Sequence, residues 1–376
     1  MTDGIAALRS GHAAHARDFL QQAITGGQRS THVLFALAQS CRDLGDDEGE
    51  KGALSQVLSV EPRHLAALLL MAESTARSAD DRSAVSFYRT ALATASVPGA
   101  SVPPSLVPSL RRGEAFLMQT NRRFEAHLLA AASVEQGSDR IKRSIDLLLG
   151  RVELHLQQPS MFYFPELPQR QFFEREEFAW LPALEAAVPE MQCELAAVLE
   201  SDGAFPPYVT SSPERPLPSN PLLHDPSWGA FYLLEKGAPV VENAERCPST
   251  MTALSLAPIP QIKGRSPLAL FSLLRAGTHI QPHHGMLNTR LICHVPLIVP
   301  AGCALRVGNE TRAWQEGKTM IFDDSFEHEA WNRGSAIRIV LLFEIWHPGL
   351  TGDEREHLTQ IFEAIDSYGL GGVDVG

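Results

Sequence analysis

Shifted by 34 residues, the first hundred residues of the chain fall into register with themselves. Gly4, Ala38 and Ala72 coincide, as do Gly11, Gly45 and Ala79, then Phe19, Ala53 and Phe87, then Leu20, Leu54 and Tyr88, then Ala23, Val57 and Ala91. Each unit reads as a helix, a short turn near "GHAA", "GDDE" or "ADDR", and a second helix, with Pro62 closing the second unit. Small residues let two antiparallel helices approach, and the large ones fill the groove between neighbouring units. A helical hairpin of this length cannot bury its apolar face alone, so the period itself demands a stack.

The period and its helix-turn-helix content resemble the tetratricopeptide repeat, without the tryptophan and tyrosine of the strong pattern. An ordinary helical bundle with Ala-rich interfaces is the alternative. Three repeats are near the minimum for a stable stack, and such stacks offer a concave face to a peptide or protein. The expected organisation is repeats over 1–95, a Pro-rich linker with capping helices over 96–160, and a second domain over 161–376. Four prolines in "ASVPGASVPPSLVPS" (95–109) break regular structure, and helical spacing resumes beyond them. Seven prolines in 202–228 mark a long irregular segment, expected to form a wall or lid of a site.

A length of 376 residues exceeds what one core usually holds, which agrees with two domains. The net charge of −12 works against a phosphate-binding surface, so no nucleic-acid partner is expected. No apolar run approaches the roughly 20 residues of a membrane span, and the N-terminus lacks a signal-peptide pattern. The expectation is a soluble, cytoplasmic protein without stable membrane insertion. Cys41, Cys193, Cys247, Cys293 and Cys303 form no CxxC pair and are odd in number, which fits reduced thiols.

From about residue 268 the helical period gives way to alternation. "LALFSLLR", "TRLICHVPLIVP", "ALRVG", "TMIFD" and "IRIVLLFEIW" are short β-rich runs separated by "RAGT", "VGNE" and "NRGS". Closely spaced strands indicate a sandwich or barrel. The fold class is therefore α + β and multidomain, a helical repeat followed by a β-sandwich or barrel. "GKTMIFDDSFEHEAWN" resembles the second motif of the cupin barrels.

Four histidines, 279, 283, 284 and 294, fall within sixteen residues. Alternation puts Arg290, Ile292 and His294 on one strand face and Leu291, Cys293 and Val295 on the other; His283 and Gly285 share a side, and His284 points away. A non-haem iron oxygenase uses two imidazoles and usually a carboxylate. His283 with the distant His328 supplies the imidazoles, while Gly285 stands where a His-x-Asp frame would have its carboxylate. Arg338, ten residues beyond His328, can return on a strand and pair bidentately with a dicarboxylate. His279 and His284 read as hydrogen-bonded bystanders. "DDSFEHE", with Glu327 and Glu329, reads as a solvated acidic turn, and "FEREEF" (173–178) as a charged helical start.

From roughly 165 to 350 the chain resembles the aspartyl/asparaginyl β-hydroxylase family, carried in order by "FSLLRAGTHIQPHHG", "NTRLICHVPLIVP", "VGNETRAWQEG", "IFDDSFEHEAWN" and "RIVLLFEIWHP". The resemblance implies a double-stranded β-helix whose His283 and His328 are the catalytic pair and hold Fe(II), with glycine at the third ligand position as a family property. It implies that Arg338 and Ser272 hold the distal carboxylate of 2-oxoglutarate, and that His294 and Arg290 line the metal side, toward the cosubstrate or the substrate's acid group. With O2 such an enzyme would hydroxylate an Asp- or Asn-type residue, or a related small carboxylate or amide, in a peptide delivered by the repeats. The family also contains hydroxylases of lipid A acyl chains, the first alternative; a non-catalytic cupin-like scaffold and a cupin isomerase or hydrolase with another metal are the others. The chain departs in having Ile292 where the animal enzymes carry an arginine two residues after the one matching Arg290; those enzymes are also anchored in a membrane, and no anchor is expected here.

Overall fold

A computed structural model describes residues 2–99, 101–132, 136–201, 205–211 and 219–368. The chain divides into two compact units, 1–151 and 152–376.

In the first unit the 34-residue period becomes helix pairs: α1 (Thr2–Arg9) with α2 (Ala13–Thr25), α3 (Thr31–Asp43) with α4 (Asp47–Val60), and α5 (Leu65–Arg77) with α6 (Asp81–Ala95). Corresponding helices α3 and α5, and α2, α4 and α6, begin 34 residues apart. The helix-pair stack is a tetratricopeptide-like repeat. Its small aligned positions are where helices touch. Ala38 and Ala72 are fully buried, and a Cβ at Gly4 would lie 2.9 Å from Leu20 Cγ. Leu20 and Leu54 are inaccessible and Tyr88 nearly so. Equivalent aspartates, Asp46 and Asp80, cap α4 and α6 through the backbone N–H groups of Gly49 and Ser83. Beyond the proline-rich stretch, α7 (Val107–Ala132) begins inside the segment expected to be irregular, because Pro108 falls in its first turn, where a missing N–H costs nothing. α7 packs on α6 through Tyr88 and Phe116, then α8 (Asp139–Leu148) follows.

The second unit is a double-stranded β-helix of two antiparallel sheets. Its strands are β1 (Phe172–Phe173), β2 (Trp228–Glu235), β3 (Ala238–Pro239), β4 (Ala269–Leu274), β5 (His279–His283), β6 (Arg290–Ile298), β7 (Cys303–Val307), β8 (Glu310–Ala313), β9 (Met320–Phe322), β10 (His328–Asn332) and β11 (Arg338–Trp346). The larger sheet runs β1-β9-β6-β11-β4-β2-β3 and the smaller β5-β10-β7-β8. Helices α9 (Leu181–Ala186), α10 (Val188–Leu199), α11 (Val241–Ala244) and α12 (Pro248–Leu254) precede or interrupt the sheet strands, and α13 (Gly352–Ser367) closes the chain.

The strand period of two sorts residues between two cores. Leu291, Cys293, Val295 and Leu297 of β6, with Ile339, Leu341, Phe343 and Ile345 of β11, pack against α9, α10 and α12. Ile292, Val340, Leu274 and Phe322 meet Ile280, Leu305, Val307 and Ala330 of the smaller sheet, between the two sheets. The even-numbered residues of β6 and β11 therefore look into the barrel, where the polar side chains of interest lie. "FEREEF" forms the end of β1 and a single 3-10 turn, Arg175–Glu177, in place of a helical start.

Candidate active site

His283, at the end of β5, lies directly across from His328, at the start of β10, in the antiparallel pair. Residues 45 apart in sequence thus bring their rings to 4.1 Å between centroids. Each ring is oriented by its own strand: His283 Nδ1 contacts Gln281 O at 2.8 Å and His328 Nδ1 contacts Phe326 O at 3.0 Å. A carbonyl only accepts, so Nδ1 is the donor in both contacts, and Nε2 is the nitrogen of each ring that would serve a metal. Burial, followed by the charge of His283, pushes the His328 imidazole down to about 3, which holds it in the neutral form a metal requires.

Gly285 is crowded by a carboxylate from another segment. A Cβ at position 285 would collide with the carboxyl group of Asp324, and the Gly285 N–H donates to Asp324 O at 2.6 Å. Asp324 is buried, and its Oδ1 has no protein hydrogen-bond partner. Burial raises its pKa and Arg290 opposes that shift. The segment read as a solvated acidic turn is therefore partly interior. Asp323 and Ser325 are fully buried; Ser325 donates to Asp323 Oδ1 through N and Oγ, and Gln157 Nε2 donates to Oδ2 at 2.6 Å. Glu327 and Glu329 are not merely solvated either, since both pair with Arg306 and Glu329 Oε2 meets His279 Nε2 at 2.6 Å.

Arg290 and His294 of β6 do look into the barrel. Arg290 donates from Nη1 to Glu344 Oε2 at 2.6 Å and from Nη2 to Asp324 Oδ2 at 3.3 Å. The His294 ring sits 5.0 Å from Phe322 and 5.9 Å from Trp314, and burial lowers its pKa well below the usual value. Arg338 of β11 is 1% exposed, lies over the Trp314 ring at 4.9 Å, and donates to Ser272 O at 3.3 Å. No acidic side chain of the described residues pairs with it, and burial presses the guanidinium down to about 10. Such a cation is costly to bury alone. Ser272 Oγ accepts from Trp228 Nε1 at 3.4 Å. Trp228 in turn stacks on Tyr208, from the proline-rich segment, whose described part also sends Leu222 and Leu223 against the inner core. Residues 202–204 and 212–218 of that segment lie outside the described residues.

Six residues singled out in the sequence, Ser272, His283, Arg290, His294, His328 and Arg338, thus share one barrel interior or its rim. Asp324 and Glu344 were not found by sequence reasoning. Glu344 had a signal, since it continues the even-numbered face of β11 from Arg338. Asp324 had none, because its burial depends on distant segments. Among the described residues no group of three or more His, Cys, Asp or Glu is arranged to hold a metal.

Residues 185–348 match the family model described as Aspartyl/Asparaginyl beta-hydroxylase. Over those residues the C-terminal unit is similar to the aspartyl/asparaginyl β-hydroxylase family. Human "Aspartyl/asparaginyl beta-hydroxylase" is 40% identical over 136 residues, covering 36% of this chain and 18% of the relative. Human "Aspartate beta-hydroxylase domain-containing protein 2" is 33% identical over 215 residues, 55% of each chain. "Ornithine lipid ester-linked acyl 2-hydroxylase" of Rhizobium tropici is 34% identical over 179 residues, 47% of this chain and 60% of the relative. The chain therefore spans about half or less of the first two relatives' lengths. The C-terminal unit, which carries this similarity to hydroxylases, contains every candidate site residue. No helix of the described residues is long and apolar enough to cross a membrane.

Proposed function

We propose that this β-hydroxylase-like unit is an Fe(II)- and 2-oxoglutarate-dependent dioxygenase that hydroxylates an Asp- or Asn-type residue or a related carboxylate or amide, with the helical repeats presenting a peptide. The observation that carries the reading is the pair of cross-strand imidazoles, each with Nδ1 committed to a carbonyl of its own strand.

The residues present fit the cofactors. His283 and His328 would hold the metal. Position 285 itself has no room for a carboxylate side chain, because the Asp324 carboxyl group fills it. Arg338, buried without an acidic partner and beside Ser272, would take the distal carboxylate of 2-oxoglutarate. When bound, the iron with its cosubstrate and O2 supplies the oxidising chemistry. The chain's own residues orient and enclose. Trp314 and Phe322 pack around His294 inside the barrel, Trp228 holds the Ser272 hydroxyl, and Tyr208 stacks on Trp228. A dry surround strengthens the hold of Arg338 on a carboxylate.

The test is succinate release from 2-oxoglutarate with Fe(II) and ascorbate, run beside metal titration of the purified chain. Wild type is expected to release succinate, and His283→Ala and His328→Ala to lose it together with at least about tenfold in metal affinity. Succinate release unaffected by either substitution would end the reading. Metal affinity is also expected to rise when 2-oxoglutarate is present, since position 285 adds no side-chain ligand to the two imidazoles.

A further inference from the structure

His283 ends β5 and His328 begins β10, so the two imidazoles sit where the strand pairing itself stops. The ladder is already irregular there, with a register shift between His328 and Ala330. Strand ends open easily unless something fastens them. Two short segments adjoin them, residues 284–288 after β5 and 323–325 before β10, and these meet through the Gly285 N–H and Asp324 O at 2.6 Å.

A third segment, 157–164, runs along both. The N–H groups of Ser160 and Met161 donate to Gly285 O and Met286 O at 2.9 and 3.1 Å, and the Gln158 N–H donates to Ser325 O at 2.7 Å. Phe164 N–H donates to Asn288 Oδ1 at 2.7 Å and receives Asn288 Nδ2 on its carbonyl at 2.8 Å. One side chain joins the two neighbours directly. Gln157, 6% exposed, donates from Nε2 to Asp323 Oδ2 at 2.6 Å and accepts at Oε1 from Asn288 Nδ2 at 3.1 Å. Its other N–H goes to Pro168 O, and Oε1 also accepts from Gln169 Nε2. Every hydrogen-bonding capacity of the amide is therefore used. Asn288 lies five residues after His283 and Asp323 five before His328, so one carboxamide spans the two chains that carry the imidazoles. Glutamate in its place would have no donor for Asp323, and an apolar side chain would leave buried polar partners unmet. Gln157 precedes residues 185–348, over which the similarity to the hydroxylase family extends.

We propose that Gln157 is a positioning residue for the metal pocket, its carboxamide holding the His283 and His328 segments at the separation a shared ion needs. The proposal rests on the oxygenase reading above and adds to it a residue outside the barrel strands. With two imidazoles and no side-chain ligand from position 285, affinity depends on how firmly those two are held in place. Coupling of this kind is reciprocal: what Gln157 does for the ion, the bound ion does for the segment that carries Gln157.

The experiment uses the full chain, with Mn(II) as the probe and 2-oxoglutarate present throughout. Hydrogen exchange of wild type, read by mass spectrometry, is expected to slow about tenfold in 157–164 relative to α10 when Mn(II) saturates, as reciprocity with a tenfold effect on affinity requires. Gln157→Glu sets a carboxylate against Asp323 and is expected to bind Mn(II) about tenfold more weakly at about pH 8. Adding Asp323→Asn returns a donor to that contact from the other side and is expected to restore affinity to within about threefold of wild type. A merely structural role would leave exchange in the segment indifferent to Mn(II). Exchange unchanged by Mn(II), full affinity in Gln157→Glu, or a double variant no better than the single overturns the proposal. The wild-type exchange decides the matter if the variants do not fold. Succinate release from the Fe(II) form is measured in parallel. Succinate release with a segment indifferent to Mn(II) would sink this inference alone; protection by Mn(II) without succinate release would sink the oxygenase reading.

Discussion

Ala79 sits at φ +60°, in the left-handed region where its repeat equivalents are glycines, Gly11 at +77° and Gly45 at +74°. All three end a helix with the same bonds, the residue's own N–H reaching back three residues and the next N–H five, as in Asp46 to Cys41 and Asp80 to Thr75. An alanine there costs about 1 kcal/mol, partly offset by the freedom a glycine adds to the unfolded chain. Ala79→Gly is therefore expected to stabilise the repeat unit by about 0.5 kcal/mol or more, and Gly45→Ala to destabilise it by about 1 kcal/mol, both read from urea unfolding midpoints. Asp323 offers a pH test. Burial raises its pKa from 3.8 to about 7, so the folded state binds its proton more tightly than the unfolded state. Stability from this group is present below about pH 4 and drains away as pH climbs to about 7. Asp323→Asn lacks that slope. Its stability relative to wild type is expected to improve by on the order of 2–3 kcal/mol from pH 5 to pH 8, and a flat difference would place the proton elsewhere.

At the scale of elements, helix packing in the first unit turns on contacts that admit no extra atom. A Cβ at Gly113 of α7 would lie 2.6 Å from Tyr88 Cδ1 of α6, so Gly113→Ala must push α7 off the stack. The expected loss is about 1–3 kcal/mol, measured by thermal unfolding followed by far-UV circular dichroism. The helical half was legible because a 34-residue period states the same structure three times over. The strands of the barrel were legible where alternation holds, and Arg290, Ile292 and His294 share the inner face as the spacing requires. β2 was missed for a physical reason. "WGAFYLLE" is apolar on both faces and buried almost throughout, so nothing in its pattern distinguishes a strand from an irregular apolar run. The acidic stretch failed differently: charge density reads as solvation, and the burial of Asp323 depends on Gln157, 166 residues away.

For the whole molecule, the division at 151/152 leaves all of Ser272, His283, Arg290, Asp324, His328, Arg338 and Glu344 in the second unit. A chain beginning at residue 152 is expected to fold alone and to release succinate from 2-oxoglutarate within about twofold of the full chain, while peptide turnover, if the repeats present the peptide, falls. That comparison separates the work of the two halves. The way β6 and β11 deal their side chains alternately to two cores has a practical reach. Odd positions anchor the scaffold against its helices, while even positions meet whatever enters, so positions 290, 292 and 344 form a small alphabet that selection or a designer can rewrite. New preferences could then arise by changing a few letters, with the frame that spells them left untouched.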